Sequence, residues 1–403
     1  MSAERAAGGI DIVFDPERSH GAYLFDRRTG REYLDFFCFR GSRALGFNHE
    51  GFQEPDFLAR LTQAALHKPT SSDIETETHS AFRREFLASP LKGGFAQVFL
   101  ADAEERALEG ALQAALQWKH RRNRAAGRDE PASTVIQFRQ AAGRALSVAT
   151  ELATPPSMGF PFDGVAEAAV TEAERVAREE IAGVFEEKGH TVAAIVVEPI
   201  QGTGGDNHLR PDFLRELRAL CDVWDALLVF DEIETGFGAT GAWWDFEHHD
   251  VRPDVLCFGR KAQVCGFAAT DRMDHDDFSG VSSVFGGSLV DMERGRQVIV
   301  VVEREDLIAN ANSMGGYMLK LLRELGESNP SVENVRGQGL WAAFDLKDTA
   351  ARDRLVNACF AEQLLVAGSG TRSVCFRPSL DIDADSVARA MAQLEAGIRR
   401  AEK

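Results

Sequence analysis

The sequence lacks the features of an extracellular, membrane or disulfide-stabilised protein. Its six cysteines show no CxxC spacing, and we predict reduced thiols in a cytoplasmic protein. No apolar run of about eighteen residues is present, so we expect no transmembrane helix. Met1 to Ile10 contain no basic region followed by an apolar stretch, and we therefore expect no secretory signal.

Positive charge is also scarce. The chain has 45 Lys and Arg against 63 Asp and Glu, a formal net charge of -18 at pH 7. This balance argues against a nucleic acid or an anionic membrane surface as partner. The ten histidines form no HExxH motif, and His248 and His249 are adjacent and point in different directions. We therefore expect no metal site.

What the chain does have is enough apolar material for a large core. Its 403 residues are 44% hydrophobic, which suits one large and one smaller domain. Apolar runs predict buried strands at Ala96–Leu100, Thr134–Phe138, Val192–Glu198, Ala226–Asp231 and Val255–Phe258. Predicted helices between them include Glu104–His120, Val170–Lys188 and Pro211–Trp224. Strands separated by such helices predict a parallel sheet covered on both faces.

The two ends of the chain have a different pattern. Ile10 to Phe47 predicts two or three short strands, and the region after about residue 300 mixes helices with strands. The polar stretch Arg121–Pro131 is interpreted as an exposed loop. We predict an N-terminal segment of the small domain at 1–48, a large domain at 49–300 and a C-terminal small domain at 301–403.

Several motifs lie close to the predicted strand ends. Residues 226–236 read Ala-Leu-Leu-Val-Phe-Asp-Glu-Ile-Glu-Thr-Gly, and 258–261 read Phe-Gly-Arg-Lys. Residues 198–206 contain Glu-Pro-Ile-Gln-Gly and Gly-Gly-Asp, 263–266 read Gln-Val-Cys-Gly, and 376–378 read Phe-Arg-Pro. Over nearly the whole length, the chain resembles the class III, fold-type I aminotransferases that use pyridoxal phosphate (PLP), most closely the L-lysine 6-aminotransferases.

The resemblance implies an α/β fold. It has a large domain with a mostly parallel seven-stranded-type sheet and a smaller α+β domain. It also implies a homodimer with active-site clefts at the subunit interface and a small-molecule substrate or ligand.

The resemblance also places the cofactor residues. Asp231 matches the acid that pairs with the pyridinium nitrogen, and Arg260 stands where the family has its cofactor-bearing lysine. A lysine amine forms a Schiff base with an aldehyde, whereas a guanidinium stays protonated and is a very poor nucleophile. Lys261 is the next residue, but neighbours in an extended segment project to opposite sides. The family pattern has lysine at both places and uses the first.

Other positions of the cofactor site also depart from the family. The phosphate turn reads Ala101-Asp102-Ala103-Glu104-Glu105, in which Asp102 is a candidate N-cap and both glutamates would repel a phosphate. Val284 replaces a hydroxyl that would reach the phosphate from the partner subunit. Gln140 to Gly143 offer no aromatic ring to stack on the cofactor. From these departures we predict that no cofactor binds, and that Ala103, Glu104 and Val284 are degenerate positions.

A second carboxylate, Glu234, stands where close relatives have a neutral polar group. Our hypothesis is that Arg260 pairs with Asp231, Glu234 or both, because a guanidinium and a carboxylate form a bidentate pair. The alternative for Glu234 is a solvated acid at the mouth of the cleft.

Substrate-binding candidates follow from the same resemblance. Arg144 and Arg377 match arginines that hold substrate carboxylates, and Thr203 replaces the family's gating glutamate. Arg40 and Arg43 fall on a segment that lines the cleft in relatives. If they point inward, the pocket suits an anionic metabolite; the simpler interpretation is solvated arginines.

Three functions remain open. The favoured prediction is a cofactor-independent enzyme that acts on a small amino-acid-like or carboxylate metabolite, with Arg260, Glu234 and Asp231 as its catalytic groups. A second is a non-catalytic subunit that binds a metabolite or an active aminotransferase. The third is an active PLP-dependent L-lysine 6-aminotransferase.

Overall fold

The computed structural model describes residues 10–70, 74–138, 149–152, 164–281, 283 and 285–402. The strands are β1 Tyr23–Asp26, β2 Arg31–Asp35, β3 Gln97–Ala101, β4 Thr134–Phe138, β5 Ala149–Leu152, β6 Val192–Val197, β7 Ile200–Gln201, β8 Asn207–His208, β9 Leu227–Asp231, β10 Val255–Phe258, β11 Cys265–Ala269, β12 Glu333–Gln338, β13 Trp341–Asp345, β14 Leu364–Leu365, β15 Ala367–Ser369 and β16 Ser373–Phe376. The main helices are Pro55–Leu66, Glu77–Ala88, Glu104–Ala125, Gly164–Lys188, Pro211–Val223, Leu289–Arg304, Leu307–Ser328, Thr349–Ala361 and Ala384–Ala401.

The central element is a seven-stranded sheet with the order β3-β11-β10-β9-β6-β4-β5. Neighbours from β10 to β5 are parallel, and β11 is antiparallel to both β10 and β3. Every residue of β6 and β9 is buried, as expected for apolar strands covered on both faces. The predicted α/β fold with a mostly parallel seven-stranded sheet is confirmed.

Three smaller sheets are present in the described residues, and the smallest is the antiparallel pair β7-β8. β12-β13-β16-β15 is antiparallel throughout, and β14 joins the N-terminal hairpin β1-β2 as a parallel third strand. Residues near the start of the chain therefore share a sheet with residues from its last fifth. The limits 1–48, 49–300 and 301–403 stay a prediction.

The predicted loop Arg121–Pro131 is wrong in its first part, because the helix that begins at Glu104 continues to Ala125. Tertiary contacts extend it. Asn123 is buried and donates to the carbonyl oxygen of His190 at 2.8 Å, and Arg122 pairs with Asp225 at 2.9 Å. The polarity of the local sequence did not predict where the helix ends, because these partners are distant in sequence.

The strand β11 was also missed. It follows β10 after only six residues, so the chain must reverse and pair antiparallel with the strand it has just left. The reversal places the turn of residues 259–264 just beyond the carboxyl end of β10. Across the described parts of the chain, no helix is long and apolar enough to cross a membrane, and no cluster of His, Cys, Asp and Glu has the arrangement of a metal site.

Candidate functional site

A cleft of about 570 Å³ lies at the ends of β9, β10 and β16. Carboxyl ends of neighbouring parallel strands meet at one edge of a sheet, which is the usual position of a binding site in such folds. The cleft is lined by Ile10, Phe37, Arg40, Gly202, Thr203, Glu234, Arg260, Val356, Val366, Ala367, Gly368, Ser369, Gly370, Thr371, Cys375 and Arg377. It brings together five of the residues singled out from the sequence: Arg40, Thr203, Glu234, Arg260 and Arg377.

Arg260 is engaged by acids on two sides. Its Nη2 lies 2.5 Å from Oε1 of Glu234, and its Nε lies 3.3 Å from Oε1 of Glu104. The pair with Glu234 that we hypothesised is therefore present. Both side chains of this pair are 13% exposed, so solvent screens the attraction less than at an open surface.

The Glu234 carboxylate lies directly against Gly202. A Cβ atom added at Gly202 would stand 2.0 Å from Oε2 of Glu234 and 3.0 Å from the Trp341 ring. Only glycine leaves room for the carboxylate in this position. This role of the glycine in the Glu-Pro-Ile-Gln-Gly motif was not predicted from the sequence.

Asp231 ends β9 and is 5% exposed. Its Oδ1 accepts a hydrogen bond from the backbone N–H of Ile233 at 3.1 Å. Asp231 is not among the described residues that line the cleft. The catalytic roles predicted for Asp231, Glu234 and Arg260 stay predictions.

The interpretation of the phosphate turn is corrected by the helix that follows it. The helix Glu104–Ala125 has Ala103 as its N-cap residue, and no side chain caps it. Asp102 instead accepts a hydrogen bond from Oγ of Ser283 at 3.2 Å. The N-cap residue of this helix therefore provides no side-chain cap, and the first N–H groups and positive end of such a helix are the kind that bind phosphate. Glu104 stands there too, with Arg260 as counter-ion.

Arg377 is held by partners within the protein. Its Nη2 donates to Oδ1 of Asp206, its Nη1 donates to the carbonyl oxygens of Ala342 and Phe376, and its guanidinium lies 3.2 Å from the centroid of the Trp341 ring. Arg377 is 6% exposed and Asp206 is fully buried. Burial raises the pKa of Asp206, and the positive charges of Arg377 and Arg336 oppose that rise. The predicted substrate role of Arg377 stays a prediction.

Asp206 is a residue that the sequence reasoning missed. In the sequence it stands out only as part of a family motif, after two glycines. Its φ of 55° lies in the left-handed region, which aspartate tolerates better than most residues. Its pairing with an arginine 171 positions away could not be derived from local pattern.

Lys261 points away from the cleft. Its Nζ is buried and donates to the carbonyl oxygens of Gly41 at 3.0 Å and Arg43 at 3.3 Å. Burial lowers the pKa of Lys261 from its ordinary value of 10.5 to about 8. Arg43, the other arginine of the segment, pairs with Asp35 at 3.2 Å, and its guanidinium lies over the Phe47 ring.

The shifted pKa of Lys261 predicts a pH-dependent stability. Between pH 8 and pH 10.5 the unfolded chain holds a proton on Lys261 that the folded chain has released, so stability rises with pH in this window. We expect wild type to gain about 3 kcal/mol relative to Lys261→Met across the window. Urea unfolding of both proteins at several pH values measures the difference. A difference that does not change with pH would contradict the desolvation of this amine.

Three predicted positions lie outside the described residues. They are Arg144, the Gln140 to Gly143 stretch and Val284.

The chain belongs to the class III aminotransferases. Residues 5–398 match the family described as Aminotransferase class-III. Such enzymes use PLP and bind small-molecule substrates, and the predicted family and the general statement that this is an enzyme are both confirmed.

Several similar relatives share one name. The chain is 37% identical to the L-lysine-epsilon aminotransferase of Mycobacterium tuberculosis (strain ATCC 25618 / H37Rv), over 97% of this chain and 92% of the relative. It is 34% identical to the protein of that name from Amycolatopsis lactamdurans, with the same coverage. A solved structure described as lysine aminotransferase from M. tuberculosis in the internal aldimine form has a TM-score of 0.93 and 36% identity, covering 99% of this chain and 97% of that one.

These similarities overturn the prediction that the chain has lost its cofactor and its transaminase chemistry. Relatives at 37% identity over nearly the full length carry an aminotransferase name, so the prediction of a PLP-independent enzyme without a cofactor is wrong. One physical error behind it is visible in the structure. The assumed capping of the phosphate helix by its own Asp102 does not occur.

PLP has three polar groups that a protein can hold: the ring nitrogen, the phosphate and the aldehyde. The residues present fit the first two. Asp231 would hold the ring nitrogen, and the uncapped N-terminus at Ala103 and Glu104 would hold the phosphate. At the aldehyde, Arg260 stands where the resemblance places the family's lysine, and a guanidinium forms no Schiff base. An amine from another residue is required there.

Proposed function

We propose that the chain is a PLP-dependent aminotransferase that takes the terminal amino group from a small ω-amino carboxylate of the L-lysine type, and that it works as a homodimer. The observation that carries this proposal is the similarity to L-lysine-epsilon aminotransferases over 97% of the chain. The cytoplasmic location stays a prediction.

PLP, when bound, supplies an electron sink that stabilises negative charge beside the reacting nitrogen. The protein's own residues then have separate tasks. An ionised Asp231 would keep the ring nitrogen protonated. The pair of Arg260 and Glu234 fixes two opposite charges in the wall of the cleft, where they would orient the polar groups of a substrate.

Lys261 is our candidate for the covalent link to the cofactor. At pH 7 a lysine with a pKa of about 8 is neutral in about a tenth of the molecules, and only the neutral amine attacks a carbonyl. To reach the cleft, its Nζ must leave the carbonyl oxygens of Gly41 and Arg43. Both carbonyls belong to the segment that follows Phe37 and Arg40, two residues that line the cleft.

Peptide mapping after reduction tests the proposal. The protein is mixed with PLP, reduced with borohydride, digested and analysed by mass spectrometry, and transfer from L-lysine to an α-keto acid is measured in parallel. We expect a pyridoxyl group on Lys261, lost in Lys261→Arg. Lys119→Arg is a matched control, because Lys119 is also a buried lysine with a lowered pKa and does not line the cleft.

The possible outcomes separate the two parts of the proposal. If the protein retains PLP and transfers an amino group but carries no pyridoxyl group on Lys261, then Lys261 is not the residue that links to the cofactor. If the folded protein neither retains PLP nor transfers an amino group, the proposed function itself is wrong.

A further inference from the structure

Among the described residues, three arginines line the cleft, and two of them are already neutralised by acids. Arg260 pairs with Glu234 and Glu104, and Arg377 pairs with Asp206. Arg40 is exposed, and its guanidinium forms no ion pair with any carboxylate in the described part of the chain. Of these three arginines, Arg40 is therefore the one whose positive charge is not paired with a carboxylate when an anion enters the cleft.

The backbone that carries Arg40 is strained. Cys38, Phe39 and Arg40 have φ values of 44°, 51° and 60°, so three consecutive residues other than glycine are in the left-handed conformation. We call Cys38–Gly41 the left-handed turn. Each such residue is unfavourable, and runs of them are rare. Strain of this kind persists only where surrounding contacts impose it, and it concentrates at functional sites.

The contacts that impose the turn come from the loop after β10. Nη1 of Arg260 donates to the carbonyl oxygen of Arg40 at 2.7 Å, and Nζ of Lys261 donates to that of Gly41 at 3.0 Å. Nε2 of Gln263 donates to the carbonyl oxygen of Ser42, also at 3.0 Å. Three side chains of one short loop thus hold three successive carbonyl groups.

The opposite end of the turn is fixed as well. Oδ1 of Asp35 accepts from the backbone N–H groups of Phe37 at 3.0 Å and Cys38 at 2.8 Å. The side-chain stem of Arg377 packs beside Gly41, where an added Cβ would lie 3.7 Å from three of its carbons. The turn is therefore fastened to both the sheet and the wall of the cleft.

We propose that Arg40, presented by the left-handed turn, binds the carboxylate of the substrate, while Arg377 is a structural residue locked by Asp206. This inference rests on the proposed function for the identity of the substrate. The ligand class is a small carboxylate with an amino group at its far end. A guanidinium offers such a carboxylate a charge-assisted hydrogen bond, which is stronger than a hydrogen bond between neutral groups.

Binding of glutarate tests the role of Arg40 without any need for catalysis. Glutarate carries the required carboxylate, and glutaramide is its uncharged analogue. By isothermal titration calorimetry of the wild-type protein, we expect glutarate to bind, glutaramide to bind much more weakly, and added salt to weaken the glutarate complex. Arg40→Gln should weaken glutarate binding by about tenfold or more, with Arg40→Lys in between.

Arg323→Gln is the matched control, because Arg323 is an exposed arginine on the helix Leu307–Ser328 and does not line the cleft. It should bind glutarate like wild type. Equal binding by Arg40→Gln and wild type would overturn the proposal, and so would a wild-type protein that does not bind glutarate. Loss of binding in Arg40→Gln would support it even if the covalent attachment of PLP fails, so the two proposals fail independently.

Discussion

Arg260→Lys is expected to raise kcat/KM for transfer of an amino group from L-lysine by about 100-fold or more, since positioned acid–base groups contribute 10²- to 10⁴-fold. Arg260 lines the cleft, whereas Lys261 has its amine directed to the carbonyl oxygens of Gly41 and Arg43. A lysine at position 260 would place an amine directly in the cleft, able both to link the aldehyde and to move a proton. Peptide mapping should then find the pyridoxyl group on residue 260.

Two further variants sharpen this experiment. Arg260→Met also removes the guanidinium but supplies no amine, so it should give no gain. Adding Glu234→Gln to Arg260→Lys should increase the rate further, because Glu234 lies beside this position and would stabilise the protonated lysine. If Arg260→Lys is no faster than Arg260→Met, a missing amine at this position does not limit the reaction.

Asp206→Asn is expected to lower the free energy of unfolding by about 3–5 kcal/mol, the usual cost of breaking a buried ion pair by removing one partner. Asparagine keeps the shape of the side chain and tolerates the left-handed φ of 55° at this position. Arg377 would then remain as a cation, 6% exposed, without its carboxylate. The midpoint of urea unfolding at an unchanged slope measures the loss.

The double variant Asp206→Asn with Arg377→Met tests the cause. Removing the cation as well should recover more than half of the lost stability, because the uncompensated charge disappears. A loss of less than about 1 kcal/mol in the single variant would show that Arg377 is satisfied by the Ala342 and Phe376 carbonyl groups and the Trp341 ring alone. That result would return Arg377 to the residues available for a substrate.

Much of the fold followed from the apolar pattern. The strands at Thr134–Phe138 and Val255–Phe258 have the predicted bounds, and those at Ala226–Asp231 and Val192–Glu198 differ by one residue. Continuous apolar runs of this length suit strands buried on both faces, and that requirement is local. The strand β11 and the end of the helix at Ala125 were missed because pairing and packing partners distant in sequence decide them.

Only some of the residues in and around the cleft were predicted from the sequence. The sequence identified Glu234, Arg260 and Arg377 as site candidates, and the structure places all three around one cleft. It did not identify Asp206, which is buried against Arg377, or Gln263, which holds the left-handed turn. Both stand in motifs that the chain shares with the family, but their roles depend on partners that only the folded chain brings near.

The sequence by itself determined the family, most of the strands and helices, and a guanidinium where the resemblance places a reactive amine, because these depend on residue type and local period. Only the tertiary structure decided which charges are free. It pairs Arg260 with Glu234 and Arg377 with Asp206, leaves Arg40 exposed, and keeps the helix at Glu104 uncapped. Ion pairing and desolvation depend on distances of a few ångströms between residues far apart in the chain, and folding alone sets those distances.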